Sequence, residues 1–328
     1  IGRRLRDVRR RELERSRELP ADVEVIDLEA PRAQAAPAPG GLAPFSGELE
    51  QMRLALGLAL RDYVVKNGFR DVVLGISGGI DSALTAAICV DALGADRVHT
   101  VSMPSRFSSA GTRDDAREVS ENLGVDFREI PIEGIFAAFA AALTPSFEGR
   151  EADLAEENLQ ARARGTLLMA LSNKLGWLVV ATGNKSELAV GYATLYGDMV
   201  GGFALLKDVF KTDVFRLARH LNERAGRELI PRTTIERPPS AELRAAQRDD
   251  QSLPPYDLLD PVLEAYVELD RSREELLAQF DAATVAKALE LVDRAEYKRR
   301  QAPPGAKLRP RAFGRDWRLP ITKRIGSG

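Results

Sequence analysis

Apolar residues recur at helical spacing from Glu48 to Lys66 (Met52, Leu54, Ala55, Leu58, Leu60, Tyr63, Val64), which predicts a helix. The pattern then changes. Val72–Ile76 is a short β-branched run, the length of a buried strand, and Ala83–Leu93 has the length and composition of a helix. Further strands are predicted near Arg97–Ser102, Phe127–Ile132 and Trp177–Thr182. Helices around Asp114–Leu123, Ile135–Leu143 and Asp153–Leu175 fall between them. Such alternation predicts an α/β fold, a doubly wound parallel sheet with helices on both faces. Ligands in these sheets sit beyond the carboxyl ends of the strands, so the loops after Ile76, Ser102, Ile132 and Thr182 are expected to meet.

Later in the chain, Lys207–Leu221 reads as an amphipathic helix, and residues 222–257 as a loop-rich excursion folding over the site. Helices around Leu258–Leu269 and Ala282–Glu296 precede a basic, Pro/Gly-punctuated tail. The connection Met103–Asp114 is long and Ser/Gly-rich, which fits either a lid or a variable surface loop. At the other end, residues 1–45 look like a leader: an arginine-dense stretch over 1–20, a possible strand at Val23–Leu28, and a Pro/Ala/Gly linker at Arg32–Gly41. Residues 46–328 are then the folded domain. The chain starts at Ile1 rather than Met, which reads as a fragment or a processed chain.

Composition narrows the class. With 47 Lys+Arg against 49 Asp+Glu, no global field points to nucleic acid or an acidic membrane. No aromatics interleave the N-terminal arginines, so they read as a solvated face rather than a nucleic-acid arm. No apolar run approaches the length of a membrane span. The single cysteine, Cys89, excludes an intrachain disulfide, fits a cytoplasmic setting and is expected in the core. No Cys/His spacing suits zinc, and His99 and His220 read as structural.

The chemistry concentrates at the end of the first strand. Gly75 and Ile76 lead into Ser77-Gly78-Gly79-Ile80-Asp81-Ser82, where two adjacent glycines let backbone N–H groups converge at a helix N-terminus. That is an anion cradle, to which Ser77 and Ser82 add hydroxyl donors. Asp81 would repel a phosphate unless a divalent cation bridged them, which argues for Mg²⁺ beside the phosphate. No lysine follows the glycines as in a P-loop, and G-x-G-x-x-G is absent. The string resembles the pyrophosphate loop of the ATP pyrophosphatases, which split ATP into AMP and pyrophosphate. After the fourth strand, Gly183-Asn184-Lys185-Ser186-Glu187 offers a lysine and a carboxylate expected near the nucleotide.

Six further stretches narrow the resemblance: ENLQARARG (Glu157–Gly165), ATGNKSELAVGYATLYGD (Ala181–Asp198), LKDVFKTDVF (Leu206–Phe215), PPSAEL (Pro238–Leu243), DQSLPPYDLLD (Asp250–Asp260) and EYKRRQAPPG (Glu296–Gly305). Together they resemble NAD synthetases, in particular the synthetase half of the glutamine-dependent bacterial type, over about residues 45–325. The resemblance implies amidation of deamido-NAD. Its carboxylate attacks the α-phosphorus of ATP, then ammonia displaces AMP. It implies ATP contacts from Gly75, Ile76, Ser77, Gly78, Gly79, Ile80, Asp81, Ser82, Thr182, Lys211 and Ser240. Asp81 and Lys211 would act in catalysis, and Asp81 and Glu187 would hold Mg²⁺. Asn158, Arg162, Glu187, Tyr192, Leu195, Tyr297 and Lys298 would line the deamido-NAD site. Glu187 thus has two possible roles, metal or dinucleotide.

The resemblance also implies at least a homodimer, and an N-terminal glutaminase domain with a Glu–Lys–Cys triad. Cys89 lies in the wrong place for that triad, so ammonia is expected free or from a separate glutaminase domain or subunit. The rival readings are another amidotransferase of this fold, such as GMP synthetase, and a non-catalytic ATP or NAD sensor.

Overall fold

The computed structural model describes residues 46–244 and 247–322. The arginine-dense stretch, the strand expected at Val23–Leu28 and the linker lie outside these residues. The helix expected from Glu48 is α1, Glu48–Lys66. Five parallel strands follow: β1 Val72–Gly75, β2 Val98–Ser102, β3 Asp126–Glu129, β4 Leu178–Ala181 and β5 Phe203–Ala204, in the order β3-β2-β1-β4-β5. β1 is central, with Val72 beside Val98 on one flank and Leu178 on the other. The doubly wound parallel sheet is therefore present, with one strand more than the pattern predicted. At two residues β5 is too short to carry a periodicity; its pairing of Val180 with Phe203 and Ala181 with Ala204 exists only in three dimensions.

Helix α2, Ile80–Leu93, is apolar nearly all round, and Ala83, Leu84, Ala86, Ala87, Ile88 and Cys89 are all buried. Such a helix has no solvent face and must be enclosed. It packs between the sheet, α1 and the later helix α7, Lys211–Ala225, in the main core. Cys89 is core as expected, and burial pushes its thiol far above the ordinary value. On the other face, Val73, Val101, Trp177 and Val179 pack with Leu168 of α5, Leu154–Leu175. α3, Ala110–Leu123, packs beside α2, and α4, Glu133–Leu143, packs beside α5.

Several boundaries moved for local reasons. α3 begins at Ala110, capped by the Ser109 hydroxyl accepting from Thr112 N–H at 3.1 Å, so the expected long connection shrinks to residues 103–109. β3 ends at Glu129, yet Ile130 N–H still donates to Ser102 O and Ile132 N–H to Pro104 O. The amphipathic stretch starts its helix at Lys211 rather than Lys207, because Leu206–Val209 form a turn, Val209 N–H donating to Leu206 O.

A second core is formed by short helices, α6 Lys185–Val190, α9 Tyr256–Leu263, α10 Arg273–Leu277, α11 Ala282–Arg294 and α12 Glu296–Arg299, while α8, Arg232–Glu236, puts Ile235 into the main core. The helix expected over Leu258–Leu269 divides. α9 carries Pro261 and runs into a widened π turn at Glu264–Glu268. Among the described residues no helix is long and apolar enough to cross a membrane.

Candidate active site

The carboxyl ends of β1, β2 and β4 open into a cleft of about 290 Å³. Gly75 through Ser82 form one wall, and Thr182, Glu187, Tyr192, Lys211 and Ser240 join them. Thirteen residues that the sequence assigned to ATP, metal or dinucleotide thus line one cavity.

The loop after β1 is closed by its own serines. Ser82 Oγ donates to Gly79 O at 2.9 Å and accepts from Ser77 N–H at 3.2 Å, while Ser77 Oγ accepts from Gly79 N–H at 3.2 Å. The sequence suggested these hydroxyls as donors to a phosphate; here they shape the turn. Gly78 sits at φ +80° against the start of α3, where a Cβ would lie 2.0 Å from Thr112 O. Only glycine fits both demands.

Across the cleft a cation is held among acids. Lys211 Nζ donates to Asp81 Oδ2 and lies 3.4 Å from Glu187 Oε1, with the Tyr256 ring centroid 5.4 Å away. Burial alone would depress the Lys211 ammonium, but the Asp81 and Glu187 carboxylates outweigh it and hold it above the usual lysine range. Burial, reinforced by the Asp81 charge and opposed by Lys211, pushes Glu187 up to about 8. Asp249 also lines the cleft. Burial raises it, against the attraction of Lys211 and hydrogen bonds from Tyr256 and Tyr192.

Asp81 is fixed from both sides, because its Oδ1 accepts from Asn184 Nδ2 at 2.8 Å. Asn184 also opens α6. Its side chain accepts from Glu187 N–H at 2.9 Å, and Glu187 Oε2 accepts from Asn184 N–H at 3.3 Å, a capping box that aims Glu187 into the cleft. Two carboxylates converging on one cationic point make a hard-oxygen donor set. Among the described residues no group of three or more His, Cys, Asp or Glu is placed to hold a metal. The two carboxylates are the kind of donors from which Mg²⁺ takes one or two, completing its shell with phosphate and water.

The remaining assigned residues gather elsewhere. Asn158 Oδ1 accepts from Thr194 Oγ1 at 2.8 Å, Arg162 Nε donates to Leu195 O at 3.2 Å, and Lys298 Nζ donates to Gly191 O and Ala193 O at 2.8 and 2.7 Å. All three grip the turn that follows α6 and do not line the cleft. The Leu195 side chain packs into the C-terminal core and Tyr297 is 48% exposed, so neither reaches the cleft either.

Lys185 corrects an expectation. It points away from the cleft and is fully buried, donating to Asp208, Glu268 and Arg311 O at 2.6, 2.7 and 2.6 Å. Two positions apart on a helix, Lys185 and Glu187 diverge by about 200° and cannot share a face.

Sequence reading missed Arg164, Asp198, Thr234, Arg237 and Asp249, all lining the cleft. Only Asn184, in its N-x-x-E capping signature, had a legible local signal. Asp198 is exposed as a residue, yet desolvation of its carboxyl within the cleft pushes it up to about 6, even though it accepts from Thr194 N–H at 2.6 Å.

Comparison with known proteins agrees with this geometry. The family model described as NAD synthase matches residues 54–302. The glutamine-dependent NAD(+) synthetase of Thermotoga maritima is 52% identical over 283 residues, covering 86% of this chain and 49% of that one. The solved glutamine-dependent NAD+ synthetase of Acinetobacter baumannii, in complex with ADP, is 50% identical with a TM-score of 0.59, covering 85% of this chain and 51% of that one. The NH3-dependent NAD synthetase of Campylobacter jejuni is 27% identical with a TM-score of 0.63, and the match spans 76% of this chain and 96% of that one. This chain therefore spans about half the length of its glutamine-dependent relatives. A parallel sheet ending in a serine–glycine anion loop, an acid-bound lysine opposite it, and a match across most of the described chain lead to one assignment: the protein belongs to the NAD synthase family.

Proposed function

We propose that this chain catalyses ATP-dependent amidation of deamido-NAD to NAD, releasing AMP and pyrophosphate. The observation that carries the reading is that the Ser77–Ser82 loop and Lys211, whose ammonium is bonded to Asp81 of that loop, line a single cleft. A carboxylate oxygen of deamido-NAD attacks the α-phosphorus, and the bond from that phosphorus to the bridging oxygen breaks as pyrophosphate leaves. Ammonia nitrogen then attacks the acyl carbon, AMP departs with the acyl oxygen, and nitrogen loses a proton.

Each group has a physical task in this scheme. Backbone N–H groups at the α2 N-terminus hold the departing phosphates, and Lys211 offsets their growing charge. Asp81 and Glu187 would hold Mg²⁺, which when bound neutralises phosphate charge and eases departure of pyrophosphate. Thr182 and Ser240 contact ATP from the other walls, and Tyr192 faces the dinucleotide. Asn158, Arg162 and Lys298 act on the dinucleotide side by holding the Gly191–Leu195 turn in place, a reading supported by their hydrogen bonds to it.

The nitrogen source is free ammonia or a glutaminase domain or subunit, since buried Cys89 is a poor nucleophile. The same lone cysteine supports cytosolic residence, and at least a homodimer is the proposed assembly, readable by light scattering. The test is mass-spectrometric detection of NAD, AMP and pyrophosphate from deamido-NAD, ATP and either ammonia or glutamine. NAD formed with ammonia alone supports the reading. Nucleotide binding without AMP release would make the chain a sensor, and ADP with orthophosphate would refute the adenylation step. Asp81→Ala is expected to abolish NAD formation while the far-UV spectrum is retained; unchanged turnover would remove Asp81 from the mechanism.

A further inference from the structure

Lys211 is the first residue of α7, and the residue before it, Phe210, offers no side-chain cap. The first N–H groups of a helix have no partner within the helix, and buried ones need acceptors from elsewhere. Here two side chains distant in sequence supply them. Lys211 N–H donates to Ser186 Oγ at 2.9 Å, and Thr212 N–H donates to Asp260 Oδ2 at 2.8 Å. The Ser186 hydroxyl in turn donates to Asp260 Oδ1 at 2.5 Å. Ser186 and Asp260 are 0% and 4% exposed, and neither lines the cleft.

The donor count leaves one arrangement. The Ser186 hydroxyl carries one proton, given to Asp260, so it can only accept from Lys211 N–H. Both Asp260 oxygens are then engaged as acceptors. Asp260 stands on α9, whose first residue, Tyr256, sets its ring beside Lys211 Nζ, and Ser186 is the neighbour of Glu187. The three helices that carry Glu187, Lys211 and Tyr256 are thus tied together at this one carboxylate.

We infer that Asp260, relayed by Ser186, is a positioning residue for the reaction: it fixes the start of α7 so that Lys211 Nζ stands between Asp81 and Glu187. The inference rests on the role proposed for Lys211. It predicts that loosening this joint displaces Lys211 without touching any group that meets the substrates.

The test is a double-mutant cycle on the full chain, reading AMP formation at saturating ATP, deamido-NAD and ammonia. Asp260→Asn and Ser186→Ala are each combined with Lys211→Gln, whose slow turnover is followed by mass spectrometry over hours. Misplacing a reacting group by about an ångström costs about a hundredfold in rate. Each single variant is therefore expected to lower kcat about ten- to a hundredfold, with KM for deamido-NAD changed less than about threefold. In the Lys211→Gln background the same changes should alter kcat less than about twofold, because what they position is gone. A merely structural role would multiply through both backgrounds, and that result, or wild-type kcat in the single variants, overturns the inference. Should Asp260→Asn fail to fold, Ser186→Ala carries the same cycle, since it removes one hydroxyl and leaves Asp260 to accept from Thr212. Wild-type chain that forms no AMP would instead remove the proposed function itself.

Discussion

A single methyl group at Gly78 is expected to dislodge the anion loop. Gly78 sits at φ +80°, a region that costs an L-residue about 1–2 kcal/mol. A Cβ there would also lie 2.0 Å from Thr112 O, 2.8 Å from its carbonyl carbon and 3.0 Å from its Cα. These are backbone atoms in the first turn of α3, and they cannot swing aside as a flexible side-chain tip would. Overpacking of this kind adds about 1–3 kcal/mol, so Gly78→Ala should lose about 2–5 kcal/mol in all.

Two other glycines separate the contributions. Gly124, at φ +69°, has nothing within 4 Å of an added Cβ, so Gly124→Ala carries the backbone strain alone, about 1–2 kcal/mol. Gly79 is at φ −86° and meets only Ser77 Oγ at 3.3 Å, so Gly79→Ala should cost no more than about 1 kcal/mol as a poorer N-cap. Urea unfolding of the three variants, with m-values compared, reads the order directly. Calorimetric titration with ATP then reports whether the loop still binds. A Gly78→Ala chain as stable as Gly124→Ala, with ATP affinity unchanged, would refute the close approach of loop and helix.

Lys185→Met should lose about 3–5 kcal/mol, because Asp208 and Glu268 would be left buried without the ammonium that both accept from. Urea unfolding checks it, and a loss under about 1 kcal/mol, the range of an exposed pair, would contradict that network. Asp198 gives a pH signature. Desolvation in the cleft raises its carboxyl to about 6, so the folded chain holds that proton more tightly than the unfolded one. The resulting stability is fully present below the unfolded carboxylate range and is lost as pH rises from about 4 through about 6; because Asp198 is exposed, solvent screening holds it to about 1 kcal/mol or less. Asp198→Asn cannot lose the proton, and its unfolding midpoint should vary less over that interval; profiles of equal slope would sink the assignment.

The sheet and the loop were legible because both are written locally. A β-branched run, two glycines and an apolar helix follow one another between Val72 and Leu93, and the burial of α2 follows from its apolar composition. The polar partners were not legible. Nothing near Asp260 in sequence says that it caps a helix beginning at Lys211, and nothing near Lys185 says that it turns from the nucleotide toward Asp208 and Glu268. The serine hydroxyls of the loop were read as ligand donors from composition alone, whereas the turn geometry spends them on Gly79 and Ser77.

Sequence by itself determined the parallel α/β architecture and the anion loop, because short-range pattern and steric freedom dictate those, whereas the other residues expected at the cleft came from the family resemblance. Tertiary structure decided which charges meet. Lys211 faces Asp81 and Glu187, Lys185 serves the second core, and the Asn158, Arg162 and Lys298 group grips a turn outside the cleft. The reason is physical: a strand or helix is specified by neighbours a few residues away, but a buried charge is satisfied by whichever partner the packing of distant elements delivers.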